Sequence, residues 1–321
     1  MKHFISEYPV ILAPMSGVTD FPFRSMVRKL GAGLLVSEMI ASRAMILKTR
    51  QSMQKSEVCE NTSVQLAGCT PEIMAEAALL CADMGAKSID LNFGCPAKKV
   101  VDGYAGSALM RNEENARSIM ESVVKAVKVP VTVKMRMGWD MNNLNAPKLA
   151  KIAEDVGIQM ITVHGRTRSQ MFSGVADWEF IRQVKECVKI PVIANGDIRT
   201  MKNVVDALEI SKADGVMIGR GAYGKPWLIR QALHFLKTRS IQKEPSSEEK
   251  LKIILEHYDN TLDYYGKSLG VKILRKHIGW YSTSHSGSSY FRAQINMLDD
   301  PVEVREKLTA FFQNNPVVDS E

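Results

Sequence analysis

The chain has 321 residues, 45% of them apolar and 24% charged, with a net charge of +7. That length can bury a substantial core in one large domain with an appendage or in two ordinary domains. With no apolar run near the ~18 residues of a spanning helix, and no secretory layout in MKHFISEYPVILAPM, it reads as soluble and cytoplasmic, with no membrane partner.

Eight short β-branched apolar runs recur along the chain: VILA (10–13), GLLV (33–36), SVQL (63–66), SIDL (88–91), PVTV (130–133), MITV (160–163), PVIA (191–194) and GVMI (215–218). Between them, PEIMAEAALLCADMGA, NARSIMESVVKAVK, APKLAKIAEDVG and WEFIRQVKECVK carry apolar residues three and four apart, which predicts amphipathic helices. These stretches pass through Gly, Val-Pro or Ile-Pro into the next run, so helix stop and strand start coincide. Strands alternating with helices imply a parallel sheet with right-handed crossovers. Eight units in about 235 residues predict a (β/α)8 TIM barrel rather than an open doubly wound sheet.

The pattern changes after Lys237-Thr238-Arg239. IQKEPSSEEK reads as a linker, and from Leu251 helical periodicity continues without strands. A barrel domain over 1–240 and a small all-helical domain over 241–321 are therefore expected. The second part has a net charge of −2, leaving +9 on the first, so the tail is not a generic basic nucleic-acid module. Within it, VKILRKHIGWY sets Lys272, Arg275 and Lys276 on one helical face beside His277, Trp280 and Tyr281. Such a group suits phosphate and base contacts; equally, it is a solvated basic face over core aromatics.

Polar and glycine residues gather where the runs end, and in a barrel those ends share the rim that carries the chemistry. After the fourth run, LNFGCPAKKV places Cys95 among Gly, Pro and the pair Lys98 and Lys99. The five cysteines are odd in number, widely spaced and without a C-x-x-C pair, which argues against a disulfide scaffold or structural zinc. Cys95 is left as packing, a nucleophile paired with His164, or a proton donor. Lys134, in VTVKMRMG, is a charge among apolar residues, costly unless paired. It suits either the negative charge of a reduced flavin or a Schiff base. His164 opens HGRTR at the sixth run, where a structural and a functional role are both open.

The last run leads into GRGAYG, which spells G-x-G-x-x-G but lacks the following strand and acidic residue of a dinucleotide fold. Loops after strands seven and eight are the usual phosphate site of a barrel. Asn195-Gly196-Asp197 and Gly219-Arg220, opening a helix, would grip one phosphate there, which suggests flavin mononucleotide. No H-E-x-x-H or carboxylate cluster stands at the strand ends, so no metal is expected.

With APMSGVTDFPFR, LNFGCPAKKV, VKMRMGW, HGRTR, IANGDI and MIGRGAYGKPW at successive run ends, the chain resembles the tRNA-dihydrouridine synthases. GCPAKKV, HGRTR and RKHIGWY look most like the bacterial B-type branch. The resemblance spans nearly the whole chain. It implies a barrel holding FMN, hydride from NADPH, reduction of the C5–C6 double bond of particular uridines in tRNA, in the D-loop, and a helical domain that helps to hold the RNA. By the same resemblance Pro14, Met15 and Ser16 line the flavin, Gln65 and Lys134 meet its ring, and His164, Asn195, Gly196, Asp197, Gly219 and Arg220 complete the ring and phosphate contacts. Cys95 matches the general acid, and Asn92 and Arg136 match positions near the base and the flavin. Lys98 and Lys99 are expected on RNA phosphate and turned away from the thiol, since positive charge beside it favours thiolate; Lys272, Arg275 and Lys276 are expected on RNA as well. A monomer is expected. Two other readings stand beside this one: a flavin barrel acting on a free pyrimidine or other small molecule, and a catalytically silent RNA-binding protein.

Overall fold

The computed structural model describes residue 5 and residues 9–315. All eight expected strands are present: β1 (Val10–Leu12), β2 (Leu34–Val36), β3 (Thr62–Ala67), β4 (Ser88–Phe93), β5 (Val131–Arg136), β6 (Met160–His164), β7 (Val192–Asn195) and β8 (Gly215–Ile218). Each pairs in parallel with the next, and β8 pairs with β1 through Val216 opposite Val10, which closes a (β/α)8 barrel. A two-residue bridge, Ile40–Ala41, pairs with the end of β3 and extends the second strand beyond a short interruption. The strands β3 to β6 run past the apolar runs that signal them, so Gln65 and Lys134 lie within their strands rather than at the ends.

Alternation along the strands sorts the side chains. Val10, Leu12, Val64, Leu66, Ile89, Leu91, Val133 and Ile161 face outward into the layer between sheet and helices. Ile11, Ala13, Leu34, Val36, Met160, Ile193 and Met217 form a separate cluster inside the barrel. On β3 to β5 most residues in the inward phase are polar, among them Gln65, Asp90, Asn92, Thr132, Lys134 and Arg136. The barrel interior is thus apolar on one side and polar on the other.

The surrounding helices include α1 (Phe21–Lys29), α2 (Pro71–Asp83), α3 (Glu113–Ala126), α4 (Ala146–Asp155), α5 (Trp178–Cys187), α6 (Met201–Ser211) and α7 (Leu228–Thr238). Several start on side-chain caps, with Asp20, Asp177 and Thr200 accepting from Phe23, Phe180 and Asn203 N–H groups. Cys81 is packed into α2, where burial pushes its thiol up to about 12, as expected of an inert core cysteine.

After α7 the chain runs without helix or strand to α8 (Ser247–Tyr265), which opens on a capping box between Ser246 and Glu249. It continues through α9 (Lys267–Ser282), α10 (Ser288–Met297) and α11 (Pro301–Asn314). These helices share their own apolar cluster, including Ile254, Leu274, Ile278, Ile295, Leu308 and Phe312. They dock on α1, where the Phe23 ring lies 5.4 Å from both His257 and His277. Among the described residues no helix is long and apolar enough to cross a membrane.

Candidate active site

A cavity of about 420 Å³ opens at the C-terminal rim of the barrel, a size typical of cofactor sites. Its wall brings together Pro14, Met15 and Ser16 from the loop after β1, Gln65 from β3, Asn92 and Cys95 from β4 and its loop, Lys134 and Arg136 from β5, and His164 from β6. Asn195, Gly196 and Asp197 join from β7, and Gly219 and Arg220 from β8. Lys98 and Lys99 do not line it; both are exposed on the short helix that follows Cys95.

The Cys95 loop is held by hydrogen bonds on several sides. Asn92 Oδ1 accepts from the N–H groups of Gly94 (3.1 Å) and Cys95 (2.8 Å). Ser107 Oγ donates to the Cys95 carbonyl at 2.9 Å. Arg136, buried at the end of β5, donates from Nε to the Gly94 carbonyl and from Nη1 to the carbonyls of Thr167 and Met171. It therefore ties the Cys95 loop to the loop after β6. Lys134 and Arg136 lie within electrostatic reach of Cys95.

Lys134 keeps some exposure to the cavity, but burial and the charge of Arg136 lower its pKa to about 8, against the pull of Asp90 and Cys95. His164 is held well below its usual value by burial and by the charges of Lys134, Arg136, Arg166 and Arg220, so it is neutral at pH 7. Gly196 is required beside it: at φ +116, an added Cβ would lie 2.8 Å from His164 Cδ2 and 2.7 Å from Ala176 Cβ.

Asp197 organises the arginines. Its carboxylate bonds Arg166 and the Ala176 N–H, and it lies 3.4 Å from Arg220 and 3.8 Å from Arg199. Burial opposes its charge, but the bonds from Arg166 and Ala176 and the charges of Arg166 and Arg199 outweigh that and keep its carboxyl below the usual range. The Phe172 ring takes Arg220 at 5.0 Å and Arg136 at 5.7 Å. The helix start expected at GRGAYG is displaced. Gly219 leads into a three-residue 3₁₀ turn, Arg220–Ala222, and α7 begins only at Leu228. The delay has a cause: at Gly224, φ +68, an added Cβ would lie 2.3 Å from the Trp280 carbonyl, so the chain passes close under α9 before turning into helix.

The donor set fits a flavin phosphate. Met15 and Met217 offer apolar cover, Lys134 a cation for the ring, and Arg199 and Arg220 charge for a phosphate group. Among known proteins, the model of the dihydrouridine synthase family matches residues 11–315. A probable tRNA-dihydrouridine synthase of Rickettsia bellii is 62% identical over 307 residues, 94% of each chain. The tRNA-dihydrouridine synthase B of Xanthomonas axonopodis pv. citri is 47% identical over 295 residues, 91% of this chain and 89% of that one. The chain belongs to the dihydrouridine synthase family. Membership makes it a flavin-dependent oxidoreductase.

In this dihydrouridine synthase the three cations of α9 are used differently from one another. Arg275 donates to the Leu298 carbonyl and pairs with Asp299 at 2.8 Å. Lys276 bonds the carbonyl of Gly17, in the loop that carries Ser16. Lys272 is exposed and makes neither kind of contact among the described residues. The neighbouring aromatics serve packing: His277 and Tyr281 are buried against α1 and α8, and Trp280 stacks on Tyr223 at 4.0 Å. Sequence reasoning missed Asp90, Arg199, Phe172 and Tyr223 near or in the cavity. Asp90 shares its face of β4 with Asn92, a phase that the structure supplies; Phe172 and Arg199 lie on loops with no periodicity to read.

Proposed function

We propose that this chain is a tRNA-dihydrouridine synthase: it reduces the C5–C6 bond of uridines in tRNA, in the D-loop, using FMN in the rim cavity and NADPH as reductant. The observation that carries this reading is one thiol, one partly buried lysine and an arginine-rich loop set around a single cavity in a barrel of the dihydrouridine synthase family. When bound, FMN supplies the hydride for uracil C6. Pro14, Met15 and Ser16 would cover the ring, and Gln65, Lys134 and His164 would meet its polar edge. The charge of Lys134 favours the reduced, anionic ring. Asn195, Gly196 and Asp197 shape the phosphate side, where Gly219 and Arg220, with Arg199, would hold the phosphate.

Hydride at C6 leaves carbon basicity at C5, and a base drawn from its stack into the cavity is shielded from bulk water. Cys95 would hold its proton and deliver it to C5 as a general acid. Asn92 and Arg136 hold the thiol's loop in place, as their hydrogen bonds indicate. Residues 1–240 are the catalytic domain in this reading and 241–321 the RNA-holding domain, with Lys98, Lys99 and Lys272 on phosphate. The protein would act as a monomer in the cytoplasm.

The test is direct. The purified protein should be yellow, release FMN on denaturation, oxidise NADPH slowly alone and form dihydrouridine in unmodified tRNA. A protein that takes up no flavin, or that reduces free uracil without needing RNA, would overturn the proposal.

A further inference from the structure

The polar side of the barrel interior contains a carboxylate for which the reaction has no evident use. Asp90, in the middle of β4, is 1% exposed. Burial pushes its carboxyl up, while hydrogen bonds from Thr132 and Gln65 and the charge of Lys134 work the other way. A carboxylate in such a place is costly. Its neighbours show what it does. Thr132 Oγ1 donates to Oδ1 at 2.6 Å, and Gln65 Nε2 donates to Oδ2 at 2.7 Å. Gln65 Oε1 then accepts from Asn92 Nδ2 at 2.8 Å, and Asn92 Oδ1 accepts from the main-chain N–H groups of Gly94 and Cys95.

The chain has a direction. At the rim the two main-chain N–H groups can only donate, so Asn92 must offer them its oxygen. At the interior end both Asp90 oxygens accept, one from Thr132 Oγ1 and one from Gln65 Nε2, and as a carboxylate they can do nothing else, so Gln65 offers it nitrogen. Each amide alone could turn over; between these two ends neither can. We infer that Asp90 is a positioning residue, which through Gln65 and Asn92 fixes the amide orientation that holds the Cys95 loop in place. The inference rests on the proposed role of Cys95 as proton donor for its catalytic consequence, though not for its geometry.

The experiment compares Asp90→Leu and Asp90→Asn in the FMN-loaded protein. Asparagine should keep the direction of the chain: its nitrogen can donate to the Thr132 hydroxyl while its oxygen accepts from Gln65. Leucine removes the acceptor. Asp90→Leu should therefore slow uridine reduction about tenfold or more, leave flavin reduction by NADPH within about threefold, and speed alkylation of Cys95 by iodoacetamide, read on its peptide by mass spectrometry. Asp90→Asn should return all of these towards the parent. Equal loss of both half-reactions with unchanged alkylation, or Asp90→Asn as impaired as Asp90→Leu, overturns the inference. If Asp90→Leu does not fold, Gln65→Met breaks the chain one link later and the Cys95 alkylation rate decides. If even the parent forms no dihydrouridine, the proposed function falls, while the alkylation comparison still decides the role of Asp90.

Discussion

The barrel rim and the face of α9 were both marked by clusters of polar residues in the sequence, and they turned out to be different kinds of object. At the rim, residues from seven strands and the loops that follow them converge on one cavity, with their orientations set by the register of a closed sheet. On α9, three cations share a helical face yet act separately, since one pairs within the tail, one grips the barrel and one faces solvent. Strand register fixes both where a side chain stands and which way it points. Helical spacing fixes only the side of the cylinder.

The largest expected effect tests whether the rim works as a unit. Cys95→Ala should lower uridine reduction by about 10²–10⁴-fold, the usual worth of general acid catalysis, with flavin reduction by NADPH unchanged in stopped-flow measurements. Equal loss of both would make the thiol a structural part of the rim. The next effect tests whether the aromatics beside the α9 cations serve docking. His257 is buried against His277, and burial and the charge of Lys276 lower its pKa from 6.5 to about 3. The unfolded chain takes up this proton first, so stability present above pH 6.5 is lost as pH falls towards about 3, by up to about 1.4 kcal/mol per pH unit. Denaturant unfolding of His257→Phe should show a flatter slope across that window than the parent; parallel slopes would remove the docking argument.

A third effect concerns Lys134. As pH rises through about 8 it loses its charge, so FMN affinity, followed by fluorescence quenching, should weaken by about tenfold, near the worth of one charged hydrogen bond. Lys134→Met should bind FMN weakly at every pH, without that step. The smallest effects divide the α9 cations. Lys272→Glu should weaken tRNA binding and reduce its salt dependence by about one counterion. Arg275→Ala should leave that slope alone and cost at most about 1 kcal/mol of stability, as an exposed pair does. Equal salt effects from both would restore the single basic face.

The alternation of apolar runs and amphipathic helices was enough for the barrel, because burial on both faces of a parallel strand leaves a signal in every run. The rim motifs were legible for a related reason: glycine and polar residues break that signal where each strand ends. Asp90 was not legible in this way. It lies inside an apolar run and becomes visible only once β4 has a phase and Gln65 stands beside it on β3. Arg136 was assigned to the substrate side from its motif, yet its guanidinium binds the carbonyls of Gly94, Thr167 and Met171, which come together only across two loops.

The sequence by itself determined the eight-fold repeat, the family and many of the side chains at the rim, since each is written in local pattern, but not Arg199, Phe172 or Tyr223. Only the tertiary structure decided what those side chains face. Lys134 and Arg136 line the cavity with Cys95 while Lys98 and Lys99 are exposed outside it, and Lys276 holds Gly17, because hydrogen-bond partners and electric fields depend on distance through space rather than along the chain.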